Sequence, residues 1–143
     1  TEEEMKRVAQ ISQSLEFIDK KEDGFDSPIS QGGTNVSGGQ KQRLAIARAI
    51  AKNPEIYIFD DSFSALDFKT DAKLRKALKE YTKDSTILIV AQRISSIMNA
   101  DKIIVLEQGE IVGMGTHNEL LKNCEVYKEI ASSQLGEEEI KNA

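Results

Sequence analysis

Leu74, Ala77, Leu78 and Tyr81 recur at i, i+3, i+4 and i+7, so they share one face of a helix, and the charged residues between them form its solvated side. Apolar residues behave differently at Ile56–Phe59 and Thr86–Val90, where short continuous runs predict strands. The second is read as buried on both faces, as in a parallel sheet. Strand, helix and strand in that order predict a right-handed βαβ unit. Nearer the start, Thr1 with Glu4 has the spacing of a capping box, opening a helix with Met5, Val8 and Ala9 on one side. Residues 15 to 19 predict a second short helix. Glycine, serine, proline and aspartate crowd Lys20 to Asn35, which is read as a surface loop.

Ser37 and Gln40 repeat the capping-box spacing, so a helix over Gly39 to Lys52 is expected, stopped by Asn53-Pro54. Lys102–Leu106 and Glu110–Met114 read as two strands joined through Gln108-Gly109. Thr116 with Glu119 marks another helix entry. Gly113-Met114-Gly115 lacks the third glycine of a dinucleotide fingerprint, since Asn118 stands there, and no βαβ unit follows. His117, the sole histidine, therefore falls in a helix's first turn as a structural residue. Glu137-Glu138-Glu139 predicts a loose acidic tail after Gly136.

Composition narrows the class. With 143 residues, 39% hydrophobic and 30% charged, the chain has the size and balance of one globular α/β domain. No apolar run approaches the roughly 18 to 20 residues that cross a bilayer, and no signal peptide opens the chain. A formal charge of -5 argues against a nonspecific nucleic-acid surface. Cys124 is the single cysteine, suits a reducing compartment and is expected to pack internally.

Two features carry chemistry. Gly38 and Gly39 leave first-turn amides bare at the positive end of a helix dipole, a receptor for phosphate; an ordinary glycine-containing N-cap is the alternative. Ile56-Tyr57-Ile58-Phe59-Asp60-Asp61 ends a strand in two carboxylates, suited to a magnesium ion or a water. With Val36-Ser37-Gly38-Gly39-Gln40 and Ser64-Ala65-Leu66-Asp67 in view, the chain resembles the nucleotide-binding domain of ATP-binding-cassette (ABC) transporters from Thr1 to about Leu135. The resemblance implies the carboxyl-terminal part of a P-loop NTPase (RecA-like) α/β core, with part of the ABC helical subdomain. Residues 1–52 would end the helical subdomain, 53–135 would form the carboxyl-terminal part of the nucleotide-binding core, and 136–143 the tail.

The same resemblance assigns roles. Asp60 would hold Mg2+ as the Walker B aspartate. Ser37, Gly38, Gly39, Gln40 and Asp67 would contact ATP in a dimer, and Asp61 and Gln92 would take the catalytic positions. Ser27 to Thr34 would touch the membrane domain, although the family often has glutamate where Gln31 stands. Active members have glutamate at the position of Asp61 and histidine at that of Gln92. The aspartate carboxylate is about 1.5 Å too short, and the amide carries no positive charge and relays no proton. Two changes in one site imply the degenerate half of a heterodimeric exporter, bound to a second half-transporter at the cytoplasmic face of the cell membrane and to no nucleic acid.

No G-x-x-x-x-G-K-[ST] phosphate loop occurs, and the chain begins at Thr1. A carboxyl-terminal fragment is expected, with the loop, its strand and a fused transmembrane domain upstream, inactive by itself and with two exposed sheet edges. A soluble ABC ATPase acting on nucleic acid or ribosomes, and a non-catalytic remnant, stay open as rival readings.

Overall fold

Thr1 accepts a hydrogen bond from the Glu4 amide while the Glu4 side chain returns to the Thr1 backbone, and α1 runs Glu2–Ile11 behind this cap. The computed structural model describes residues 1–135; the acidic tail from Gly136 on lies outside the described residues. Two compact units divide at Val90 and Ala91.

In the first unit α1 is followed by the short α2, Leu15–Ile18. The expected loop then holds two single 3-10 turns, Gly24–Asp26 and Gln31–Gly33. Asn35 ties it down, its Oδ1 accepting from the Ser30 amide at 3.0 Å and its Nδ2 donating to the Pro28 carbonyl at 2.8 Å. Next come α3, Gly38–Ala51, β1, Ile56–Asp60, α4, Phe68–Tyr81, and β2, Thr86–Val90. β1 and β2 pair in parallel, Ile56 against Thr86 through Asp60 against Val90.

Ile46 and Ile50 of α3 and Leu74 and Leu78 of α4 pack against Tyr57, Phe59, Phe63 and Leu66, with Val8 and Ile11 of α1 at the margin. Of the four α4 positions that its periodicity assigns to a core, Leu74 and Leu78 are fully buried and Ala77 and Tyr81 half-buried. The reading of β2 as buried on both faces needs correction. Ile87 and Ile89 face the helices and are half-buried, whereas Leu88 and Val90 are 51% and 52% exposed. Ile56 and Ile58 on β1 stand open in the same way. The reason is alternation: a strand's side chains point to opposite faces, and the helices of this unit cover one of them.

The second unit opens with α5, Ile94–Ile97, which the sequence reading did not anticipate. β3, Ile103–Glu107, and β4, Glu110–Gly115, form the expected hairpin. Gln108 and Gly109 both adopt positive φ, 50° and 86°, as a two-residue turn of the primed type requires. Thr116 then caps α6, His117–Asn123, with the reciprocal Glu119 contact expected from sequence. A further helix, α7, Glu125–Gln134, closes the described chain. Its buried residues, Tyr127 and Ala131, join Ile103, Val105, Leu120 and Cys124 in a second core cluster. Cys124 thus packs as expected, close enough to Gly113 that an added Cβ there would meet its sulfur at 2.7 Å.

Candidate nucleotide site

Ser37 sits in extended backbone before α3, and its hydroxyl accepts from the Gln40 amide at 3.2 Å while the Gln40 Oε1 accepts from the Ser37 amide at 2.9 Å. The cap therefore occupies one orphan donor of the first turn and leaves the Gly38 and Gly39 amides at its positive end. Gly39 has a second reason to lack a side chain. A Cβ there would stand 2.9 Å from the Ala65 carbonyl oxygen, so only glycine lets α3 approach the segment after β1 this closely.

That segment carries the next group. Asp67 is the N-cap of α4 and accepts from the Thr70 amide at 2.9 Å. Hydrogen bonds from the Thr70 side chain and amide hold its carboxyl below the ordinary range, so it is ionised at neutral pH. Ser37, Gly38 and Gly39 face Ala65, Leu66 and Asp67 across a cavity of about 390 Å³. The sequence-predicted residues of the phosphate receptor and Asp67 are thereby brought to one place.

Asp60 ends β1 and Asp61 follows it, both exposed. Asp61 adopts a left-handed backbone, φ 47°, unusual for a residue other than glycine. Its amide donates to the Val90 carbonyl at 3.0 Å, and its carbonyl accepts from Gln42 Nε2 at 3.0 Å and from Ser64 Oγ at 3.1 Å. As to a metal, no cluster of three or more His, Cys, Asp or Glu suited to one occurs among the described residues. Asp60, exposed at the carboxyl end of β1, supplies a carboxylate of the type that holds Mg2+ together with substrate phosphates rather than in an all-protein cage.

Gln92 lies in the second unit, exposed, before α5. Its carbonyl accepts from Gln134 Nε2 at 2.8 Å, and Gln134 Oε1 accepts from the Ile94 amide at 2.9 Å, so α7 pins the loop that carries it. Sequence reasoning passed over Gln134, and also Arg43 and Gln42. Arg43, one turn into α3, donates to the Gln13 carbonyl at 2.7 Å and lies 4.9 Å over the Phe17 ring. No spacing rule could have found these, because each partner lies tens of residues away.

The fold is α/β, and the first turn of α3 approaches the segment after β1, a strand that ends in Asp60 with Asp61 following. Residues 2–64 match the ABC transporter family model. The chain is 49% identical over 134 residues to an uncharacterized ABC transporter ATP-binding protein of Mycobacterium tuberculosis, covering 94% of this chain and 23% of that protein. It is 40% identical over 134 residues to an ATP-dependent lipid A-core flippase of Aliivibrio fischeri, again covering 94% and 23%. Among solved structures, a bacterial Atm1-family ABC exporter with ATP bound superposes with a TM-score of 0.91 at 34% identity, over 96% of this chain and 24% of that one. The chain is an ABC transporter ATP-binding domain sequence with exporter-type homologues, and it spans about a quarter of the length of those relatives.

Proposed function

We propose that this chain serves, within a longer polypeptide, as part of the cassette that couples ATP binding and hydrolysis to export across a membrane. The observation that carries the reading is the joint between the bare first turn of α3 and the turn after β1: one holds an anion receptor, the other two carboxylates. Residues 1–52 then belong to the helical subdomain and 53–135 to the nucleotide-binding core. Ser37, Gly38, Gly39 and Gln40 contact the phosphates of ATP held by a partner cassette, and Asp67 borders that contact. Asp60 holds Mg2+, which when bound neutralises charge on the phosphates. Asp61 and Gln92 occupy the positions that orient the attacking water and sense the terminal phosphate.

The partner is a second ABC half-transporter, and a transmembrane domain is joined upstream, placing the cassette at the cytoplasmic face of the cell membrane. The acidic balance speaks for protein and nucleotide partners over nucleic acid. The short Asp61 carboxylate and the Gln92 amide support a degenerate site, since misplacing a catalytic group by about 1 Å costs on the order of a hundredfold in rate. This subunit would complete its partner's site while turning over slowly at its own. Restoring Asp61→Glu and Gln92→His in the full-length heterodimer, with the partner's site disabled, is expected to raise ATP turnover. An unchanged rate would overturn the degenerate-site reading.

A further inference from the structure

Gln42 stands on α3 two residues beyond Gln40. Its side chain leaves α3 and crosses to the turn after β1, where Nε2 donates to the Asp61 carbonyl and to Ser64 Oγ, both at 3.0 Å, and Oε1 accepts from the Ala65 amide at 2.9 Å. The amide's orientation follows from its partners. A backbone N–H can only face the oxygen and a backbone carbonyl can only face the nitrogen, so a flipped side chain would lose both contacts. Both amide hydrogens and one acceptor lone pair are used on a turn 19 to 23 residues distant in sequence.

The turn needs such a hold. Asp61 sits in the left-handed region at φ 47°, which residues other than glycine adopt uncommonly, aspartate more readily than most. The Asp61 amide is fixed by Val90 and its carbonyl by Gln42 and Ser64, so the Cα–Cβ bond that carries its carboxylate leaves a backbone clamped from two sides. One turn back along α3 from Gln42, Gly39 rests against the Ala65 carbonyl. The phosphate-receptor end of α3 and the Asp61 turn are therefore held as one piece.

We propose that Gln42 is a positioning residue that locks the Asp61 turn to the first turn of α3, so that displacement at either is transmitted to the other. The inference rests on the nucleotide-site reading above. It assigns a single side chain to couple the receptor offered to a partner's nucleotide with the carboxylate offered to this subunit's own. Gln42 acts through the two segments it joins.

The test is steady-state ATP hydrolysis by the full-length dimer containing this chain, wild type against Gln42→Leu, which removes all three bonds, and Gln42→Glu, which keeps only the acceptor toward Ala65. Both variants are expected to lower kcat by about tenfold, within the usual span of coupling between sites, with KM for ATP unchanged within about twofold and thermal midpoints close to each other. Retained kcat in Gln42→Leu with an active wild type overturns the inference while leaving the nucleotide reading standing. A loss confined to KM, or one that tracks falling thermal midpoints, reduces Gln42 to a stability contact and also overturns it. A wild-type dimer that hydrolyses no ATP refutes the nucleotide reading, and the role of Gln42 with it.

Discussion

Gly38 and Gly39 are neighbours with different tolerances. An added Cβ at Gly38 meets only the Ala65 methyl at 3.6 Å, an ordinary contact, whereas at Gly39 it meets the Ala65 carbonyl oxygen at 2.9 Å. Gly39→Ala is accordingly expected to cost about 1 to 3 kcal/mol through overpacking against rigid backbone, and Gly38→Ala much less. Urea denaturation of the two variants separates them, and equal midpoints would refute the close-approach argument. His117 offers a second residue-scale test. It is buried, its Nδ1 lies 2.7 Å from the Tyr127 hydroxyl, and its Nε2 has no hydrogen-bond partner. Burial lowers its pKa below the ordinary 6.5, so the folded state binds the proton less readily than the unfolded chain. Its contribution to stability is complete above about pH 6.5 and lost as pH falls through the lowered value. Thermal midpoints should drop from pH 7.5 to pH 5, and His117→Gln should flatten that slope; an unaltered slope would place the effect elsewhere. Burial also pushes the Tyr127 hydroxyl up to about 12, so this partner stays neutral throughout that range.

The helices divide by whether their signals are local. Thr1 with Glu4, Ser37 with Gln40 and Thr116 with Glu119 announce α1, α3 and α6, and all three boxes are closed in the structure. A capping residue and its partner lie three positions apart, so sequence alone brings them together. Ser37→Ala is expected to remove about 1 kcal/mol from α3, seen as faster amide exchange in its first turn; unchanged exchange there would show that packing, not the cap, holds the helix end. α5 and α7 went unread; both lack a side-chain cap, as α2 does, and α5 is only four residues long. α7 did offer a weaker sign, Tyr127, Ile130 and Ala131 at i, i+3 and i+4. The candidate site was legible in part for the same reason. Its cap and its carboxylates are contiguous runs, whereas Arg43, Gln42 and Gln134 act on partners whose proximity only folding creates.

At the scale of the molecule the described surface keeps two apolar faces open. Ile56, Ile58, Leu88 and Val90 are each more than half exposed on the β1–β2 sheet, and Leu106, Ile111 and Met114 are so on the hairpin. Contiguous exposed apolar surface favours association. The 143-residue chain by itself is therefore expected to self-associate, and Ile58→Lys together with Leu88→Glu to shift its sedimentation toward the monomer; a monodisperse wild-type monomer would contradict this. No helix among the described residues is long and apolar enough to cross a membrane.

The order of residues alone determined the caps, the hairpin turn, the helix faces and the run of motifs that marks an ABC cassette. Each depends on neighbours within a few positions, where propensity and hydrogen-bonding capacity act directly. Tertiary structure decided which face of β2 is covered, since apolar runs do not say where the helices settle. It also decided the left-handed turn at Asp61 and the amide of Gln42 that holds it. Those contacts join segments some twenty residues apart, and their geometry exists only once α3 has packed beside β1.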